Sequence, residues 1–156
     1  MSLRGTLRSA ARAATLAVLA ATALVAVPQS ASAGGCSALG CGNVTNNTPV
    51  TMHTTVGLGS SKAKDRCDVW NNNGSLEDPW GYNWAYMKCT QVSLGRDQKR
   101  GGNGVDVDAF TFNTRSYLVL HNGTQDPVGK GVWTKIRDYH AVRCVEKRGS
   151  LECTVS

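Results

Sequence analysis

From position 50 to 56 the chain alternates strictly. Val50, Met52, Thr54 and Val56 fall on one side, and Thr51, His53 and Thr55 on the other. Alternation of this kind predicts a strand with one buried face. Similar or β-branched runs occupy 67–70, 105–112, 117–121 and 132–139. Residues 143–155 read as a hairpin turned at Arg148-Gly149, where glycine tolerates the positive φ of a tight turn. Counting outward from that turn pairs Lys147 with Ser150, Glu146 with Leu151, Val145 with Glu152 and Cys144 with Cys153. About eight short strands, parted by Gly, Asn and Pro, predict an all-β fold. We read it as a disulfide-braced antiparallel β-sandwich or barrel. Residues 34–47 read as a loose polar start, and 95–104 (GRDQKRGGNG) as an exposed loop.

Within 105–112 the pattern changes sides. Asp106 and Asp108 share a face with Phe110 and Phe112, while Val105 and Val107 lie opposite, which predicts a bulge near Ala109. Two carboxylates on one strand face can share a cation or act as acid and base. They are also common as solvated edge residues, and the spacing of a calcium loop is missing.

The first 33 residues stand apart from this patterning. Arg4, Arg8 and Arg12 precede an uncharged apolar run of 15 residues, 13–27, followed by Pro28 and Ala31-Ser32-Ala33. This is the layout of a cleaved export signal, with the mature chain expected to begin at Gly34. The run falls short of the roughly 20 residues a membrane-spanning helix requires. The expected organisation is a signal peptide over 1–33 and one secreted β domain over 34–156, with no membrane span.

The six cysteines, Cys36, Cys41, Cys67, Cys89, Cys144 and Cys153, all follow that leader. An even count in an exported chain favours three disulfides. The hairpin register places Cys144 opposite Cys153, and Cys36–Cys41 and Cys67–Cys89 are then the most local remaining pairs. No C-x-x-C pair supports a zinc site, so no metal or other cofactor is expected.

Charge narrows the partners. The full chain carries 17 Lys+Arg against 11 Asp+Glu, but without the leader's three arginines only 14 face the same 11. So mild an excess gives no argument for nucleic acid.

The densest aromatic stretch is Trp80, Tyr82, Trp84 and Tyr86, at every second position. On a strand the four rings share a face. Such a row suits the apolar faces of sugar rings, with Trp70 as a neighbour and nearby asparagines for the hydroxyls. It equally suits a sandwich core, and Asp78-Pro79 also allows a helix start, which Gly81 weakens.

Catalytic signals are sparse. His53, His121 and His140 are the only histidines, with His121 placed at a strand end before Asn122-Gly123. No G-x-S-x-G or H-E-x-x-H motif is present, and bridged cysteines leave no thiol nucleophile. We assign no catalytic residue. Lys99 and Arg100, in the basic run 96–100, offer a substrate-like loop for a protease inhibitor, although the following glycines loosen it.

The leader, the Asn- and Gly-rich strands and the scattered cysteines resemble small exported proteins of high-GC Gram-positive bacteria. That resemblance implies secretion and transfers no site residue. The expected function is non-enzymatic binding of an extracellular polymer, such as a glycan, through Trp70, Trp80, Tyr82, Trp84 and Tyr86. The alternatives are an inhibitor or toxin-like protein acting on another secreted protein, and a small hydrolase using His121 or His140 with Asp106 or Asp108.

Overall fold

A computed structural model describes residues 35–71 and 87–156. These hold twelve strands: β1 (Asn43–Asn47), β2 (Met52–Thr55), β3 (Asp65–Cys67), β4 (Met87–Cys89), β5 (Gln91–Leu94) and β6 (Gln98–Gly101). Then follow β7 (Ala109–Thr111), β8 (Tyr117–His121), β9 (Thr124–Val128), β10 (Thr134–Lys135), β11 (Ala141–Lys147) and β12 (Ser150–Val155).

The strands form a six-stranded sheet ordered β6-β1-β11-β12-β8-β9, a four-stranded sheet ordered β10-β7-β2-β5, and the ribbon β3-β4. Neither larger sheet closes into a barrel. The main core draws Val44, Val119, Val142 and Leu151 from the first and Met52, Leu94 and Phe110 from the second, as a sandwich does. Tyr117 packs against Phe110 and Phe112 at ring separations of 5.6 and 5.4 Å, and its hydroxyl donates to the Val132 carbonyl at 2.8 Å. Burial pushes that hydroxyl's pKa up.

Most pairings are antiparallel, but β1 runs parallel to β11, and β12 parallel to β8. The final hairpin has the expected register, from Lys147↔Ser150 to Cys144↔Cys153. Arg148 and Gly149 both take positive φ, 51° and 79°, as a two-residue turn matched to strand twist requires. The disulfides are Cys36–Cys41, Cys67–Cys89 and Cys144–Cys153, the last with Cα atoms 4.0 Å apart.

Three segments depart from the sequence reading. Residues 43–47 are a strand rather than a loose start. Its buried Asn46 acts as a core residue because its polar atoms are satisfied: Nδ2 donates to the carbonyls of Val50, Leu94 and Gly95, and Oδ1 accepts from Thr48. Residues 98–101, expected in a loop, form edge strand β6, with the Asp97 amide donating to the Asn46 carbonyl at 2.6 Å. Residues 124–128 form β9 despite Pro127, which is tolerated because β9 lies at the sheet's other edge.

Residues 105–108 precede rather than extend β7. There Val107 donates to the Gly42 carbonyl and Asp108 to that of Thr55, which ties the two sheets together. The chain keeps Val107, Ala109, Phe110, Thr111 and Phe112 all buried, consistent with a local break in alternation.

Candidate functional site

Trp70 is half-buried, and its indole N–H donates to the Cys67 carbonyl at 2.8 Å. Its ring lies 6.3 Å from that of Trp133. Both belong to a small second core with Cys67, Cys89, Ala109 and Leu58. One face of Trp70 is therefore committed to packing. The ladder Trp80, Tyr82, Trp84 and Tyr86 lies outside the described residues.

The candidate acid–base groups fall into two sets. His121 and His140 come together with ring centroids 5.1 Å apart, and Tyr139 caps His140 at 4.6 Å. Both histidines are buried, and His140 Nδ1 accepts the Arg137 amide at 3.2 Å. The loop-mouth position expected for His121 is instead an interior one. His53 stands apart on the smaller sheet, its Nδ1 3.3 Å from Ser93 Oγ, and burial lowers its pKa.

The second set is Asp106, Asp108, Asp138 and Lys135. Asp106 Oδ1 accepts the Gly42 amide at 2.7 Å, Asp108 Oδ2 the Leu58 amide at 3.0 Å, and Asp138 Oδ2 the Ser37 amide at 3.2 Å. Each carboxylate thus fastens a segment distant in sequence. Lys135 Nζ lies 3.9 Å from Asp108 Oδ1 and donates to the Ile136 carbonyl at 2.6 Å. Burial raises Asp106 to about 6, opposed by the Gly42 amide and assisted by the charges of Asp108 and Asp138. Burial also raises Asp108 and lowers Lys135, partly offset by their mutual attraction. Desolvation outweighs pairing for both partners. Among the described residues no cluster of three His, Cys, Asp or Glu side chains is arranged to hold a metal ion.

No family model, curated protein or solved structure matches this chain.

The outer face of the six-stranded sheet carries the more open arrangement. On β1, Val44 and Asn46 point into the core, so Asn43, Thr45 and Asn47 point out. Register then sets two rows across the sheet. One runs Lys99, Thr45, Arg143, Thr154, Leu120, and the other Asn47, Val145, Glu152, Leu118, Pro127. Where β1, β11 and β12 meet, a shallow groove of about 510 Å³ is lined by Asn43, Thr45, Ala141, Arg143, Thr154 and Ser156. Arg143 is oriented by its neighbours: its Nε donates to Asn47 Oδ1 at 3.0 Å, and Asn47 Nδ2 donates to Asp97 Oδ1 at 3.0 Å.

The sequence reading missed this face because the position of β1 was unknown. The hairpin over 143–155 is legible from its turn, but only the placement of β1 beside it makes a three-strand surface. Lys99 stands outward on β6, whereas Arg100 is half-buried, its Nε without a hydrogen-bond partner among the described residues. No helix among the described residues is long and apolar enough to cross a membrane. All six cysteines are bridged, as suits an oxidising environment.

Proposed function

We propose that this is a secreted, non-enzymatic binding protein that holds an extracellular polymer, specifically a glycan, on the outer face of its six-stranded sheet. The observation that carries this reading is the groove across β1, β11 and β12. Its lining brings the hydroxyls of Thr45, Thr154 and Ser156, the Asn43 amide and the Arg143 guanidinium together with Ala141 and Val145. A saccharide strand needs such groups for its hydroxyls and a shallow trough for its rings. Trp80, Tyr82, Trp84 and Tyr86 keep their sequence-based role as stacking rings, with Trp70 as the further ring candidate.

Binding is favoured over catalysis by how the reactive groups are used. Asp106, Asp108 and Asp138 each hold a backbone amide, and His121 packs against His140. Secretion is supported by the leader and by the three disulfides. N-terminal sequencing of the protein recovered from culture medium should begin at Gly34, and recovery only from cells, with the leader intact, would refute export.

The binding reading is tested by retention on a panel of insoluble polysaccharides, comparing the wild type with Ala141→Trp. Ala141 is exposed on the groove floor, so the indole fills the groove without entering the core. Retention by the wild type and its loss in the variant, at unchanged melting temperature, is the expected result. Absence of retention on every polysaccharide, or equal retention of the variant, would overturn it.

A further inference from the structure

We propose that the glycan held in this groove is acidic, a polysaccharide with carboxylate-bearing repeats, and that Lys99 and Arg143 read its charge. This rests on the groove reading above and adds the ligand's chemistry.

The charges on the face are not evenly matched. Glu152, the acid on the outer rows, is paired with Lys147 at 3.6 Å. Asp97 beside the groove accepts from Asn47 and lies 3.6 Å from Arg96. Lys99 and Arg143, by contrast, have no carboxylate within salt-bridge reach among the described residues. They flank Thr45 in one row, on β6 and β11, two strand spacings or about 10 Å apart at the backbone.

Arg143 is also held in position. Its Nε is tied to Asn47, and its two terminal nitrogens have no hydrogen-bond partner among the described residues. A guanidinium fixed at Nε presents its outer nitrogens as a planar fork, the geometry that recognises carboxylate in two parallel hydrogen bonds. Thr45, Thr154 and Ser156 beside it supply hydroxyls for the uncharged part of a sugar.

Outward cations on a sheet often serve only to deter edge-to-edge aggregation. That accounts for Lys99, which stands on the edge strand β6. It does not account for Arg143, because β11 is an interior strand covered on both sides by β1 and β12.

The test compares retention of the folded protein on alginate and polygalacturonate with retention on cellulose and neutral dextran gels, and with binding to single-stranded DNA. The acidic polysaccharides should retain the protein more strongly, and retention should fall as salt rises. The double variant Lys99→Ala/Arg143→Ala should weaken retention about tenfold or more, and Arg143→Lys should fail to restore it because lysine lacks the fork. Equal retention on neutral and acidic gels would overturn the acidic assignment while leaving glycan binding intact. DNA binding as strong as alginate binding would also overturn it, as charge alone would then suffice. No retention on any gel would overturn both readings.

Discussion

Asp106, Asp108 and Lys135 are enclosed where segments from both sheets meet, whereas Lys99 and Arg143 stand exposed on the outer face of the larger sheet. The enclosed groups are committed to the protein itself: each carboxylate accepts a hydrogen bond from a backbone amide, and the lysine donates one to a carbonyl. The exposed cations have no acidic partner within salt-bridge reach among the described residues, and Arg143 is braced by the Asn47 side-chain amide. Burial shifts the enclosed groups towards their neutral forms, a cost offset where the two carboxylates fasten distant segments. Exposure leaves the outer cations available to a ligand. The contrast separates charge that holds a fold together from charge that reads a partner.

The hardest test of that contrast is Asp108→Ala. It strips the Leu58 amide of its acceptor and leaves Lys135 without its nearest carboxylate, so unfolding free energy should fall by about 2–4 kcal/mol in urea titration. Retention on alginate, measured on the folded fraction, should not change. A loss below about 0.5 kcal/mol would place Asp108 with ordinary surface residues.

Gly42→Ala attacks the same region by sterics. A Cβ there would lie 2.3 Å from the Val107 carbonyl oxygen and 3.1 Å from Asp106 Oδ1. The backbone of β1's lead-in must shift, at a cost of about 1–3 kcal/mol. A melting temperature equal to wild type would show that the approach is looser than described.

The next effect depends on pH. Asp106 titrates at about 6 in the fold against an ordinary value of 3.8. A carboxyl raised by folding stabilises the native state while protonated. Its contribution is full below pH 3.8 and is lost as pH rises through 6. Asp108 is raised too and acts with the same sign, while Asp138 and Lys135 face the pair with opposite charges. Asp106→Asn keeps an acceptor for Gly42 and removes the titration. The fall in melting temperature between pH 4 and 7 should therefore be shallower in the variant. Superimposable profiles would mean that Asp106 titrates normally.

The smallest stability effect belongs to the outer face. Lys99→Ala/Arg143→Ala should change unfolding free energy by no more than about 0.5 kcal/mol, because exposed cations away from salt bridges contribute little. A loss comparable to that of Asp108→Ala would erase the distinction between the two regions.

Local features of this fold were legible in the sequence, and distant ones were not. The Cys144–Cys153 hairpin could be counted from its turn because every pairing lies within a few residues of Arg148-Gly149. Strand β8 was bounded correctly by its alternation and by Asn122-Gly123, both at positive φ. Strand β1 was hidden because its interior position is filled by Asn46, and hydropathy cannot distinguish a satisfied buried amide from a solvated one. Strand β6 was hidden because an edge strand with charged side chains has the composition of a loop. The groove required the parallel pairing of Asn43 with Ala141, for which the sequence carries no local signal. Residues 80–86, which carry the aromatic ladder, fall outside the described residues.

That parallel pairing has a consequence for how the protein reaches its folded state. The strand nearest the start of the described chain lies between β6 and the hairpin at the far end, so the larger sheet depends on contacts of very high sequence separation. Chains ruled by such contacts fold slowly, on the order of milliseconds to seconds, because loop-closure entropy is lost before the contacts compensate for it. The groove needs all three strands in place. It is absent from a chain still lacking β11 and β12, and clipping those strands after folding would remove two of its three walls.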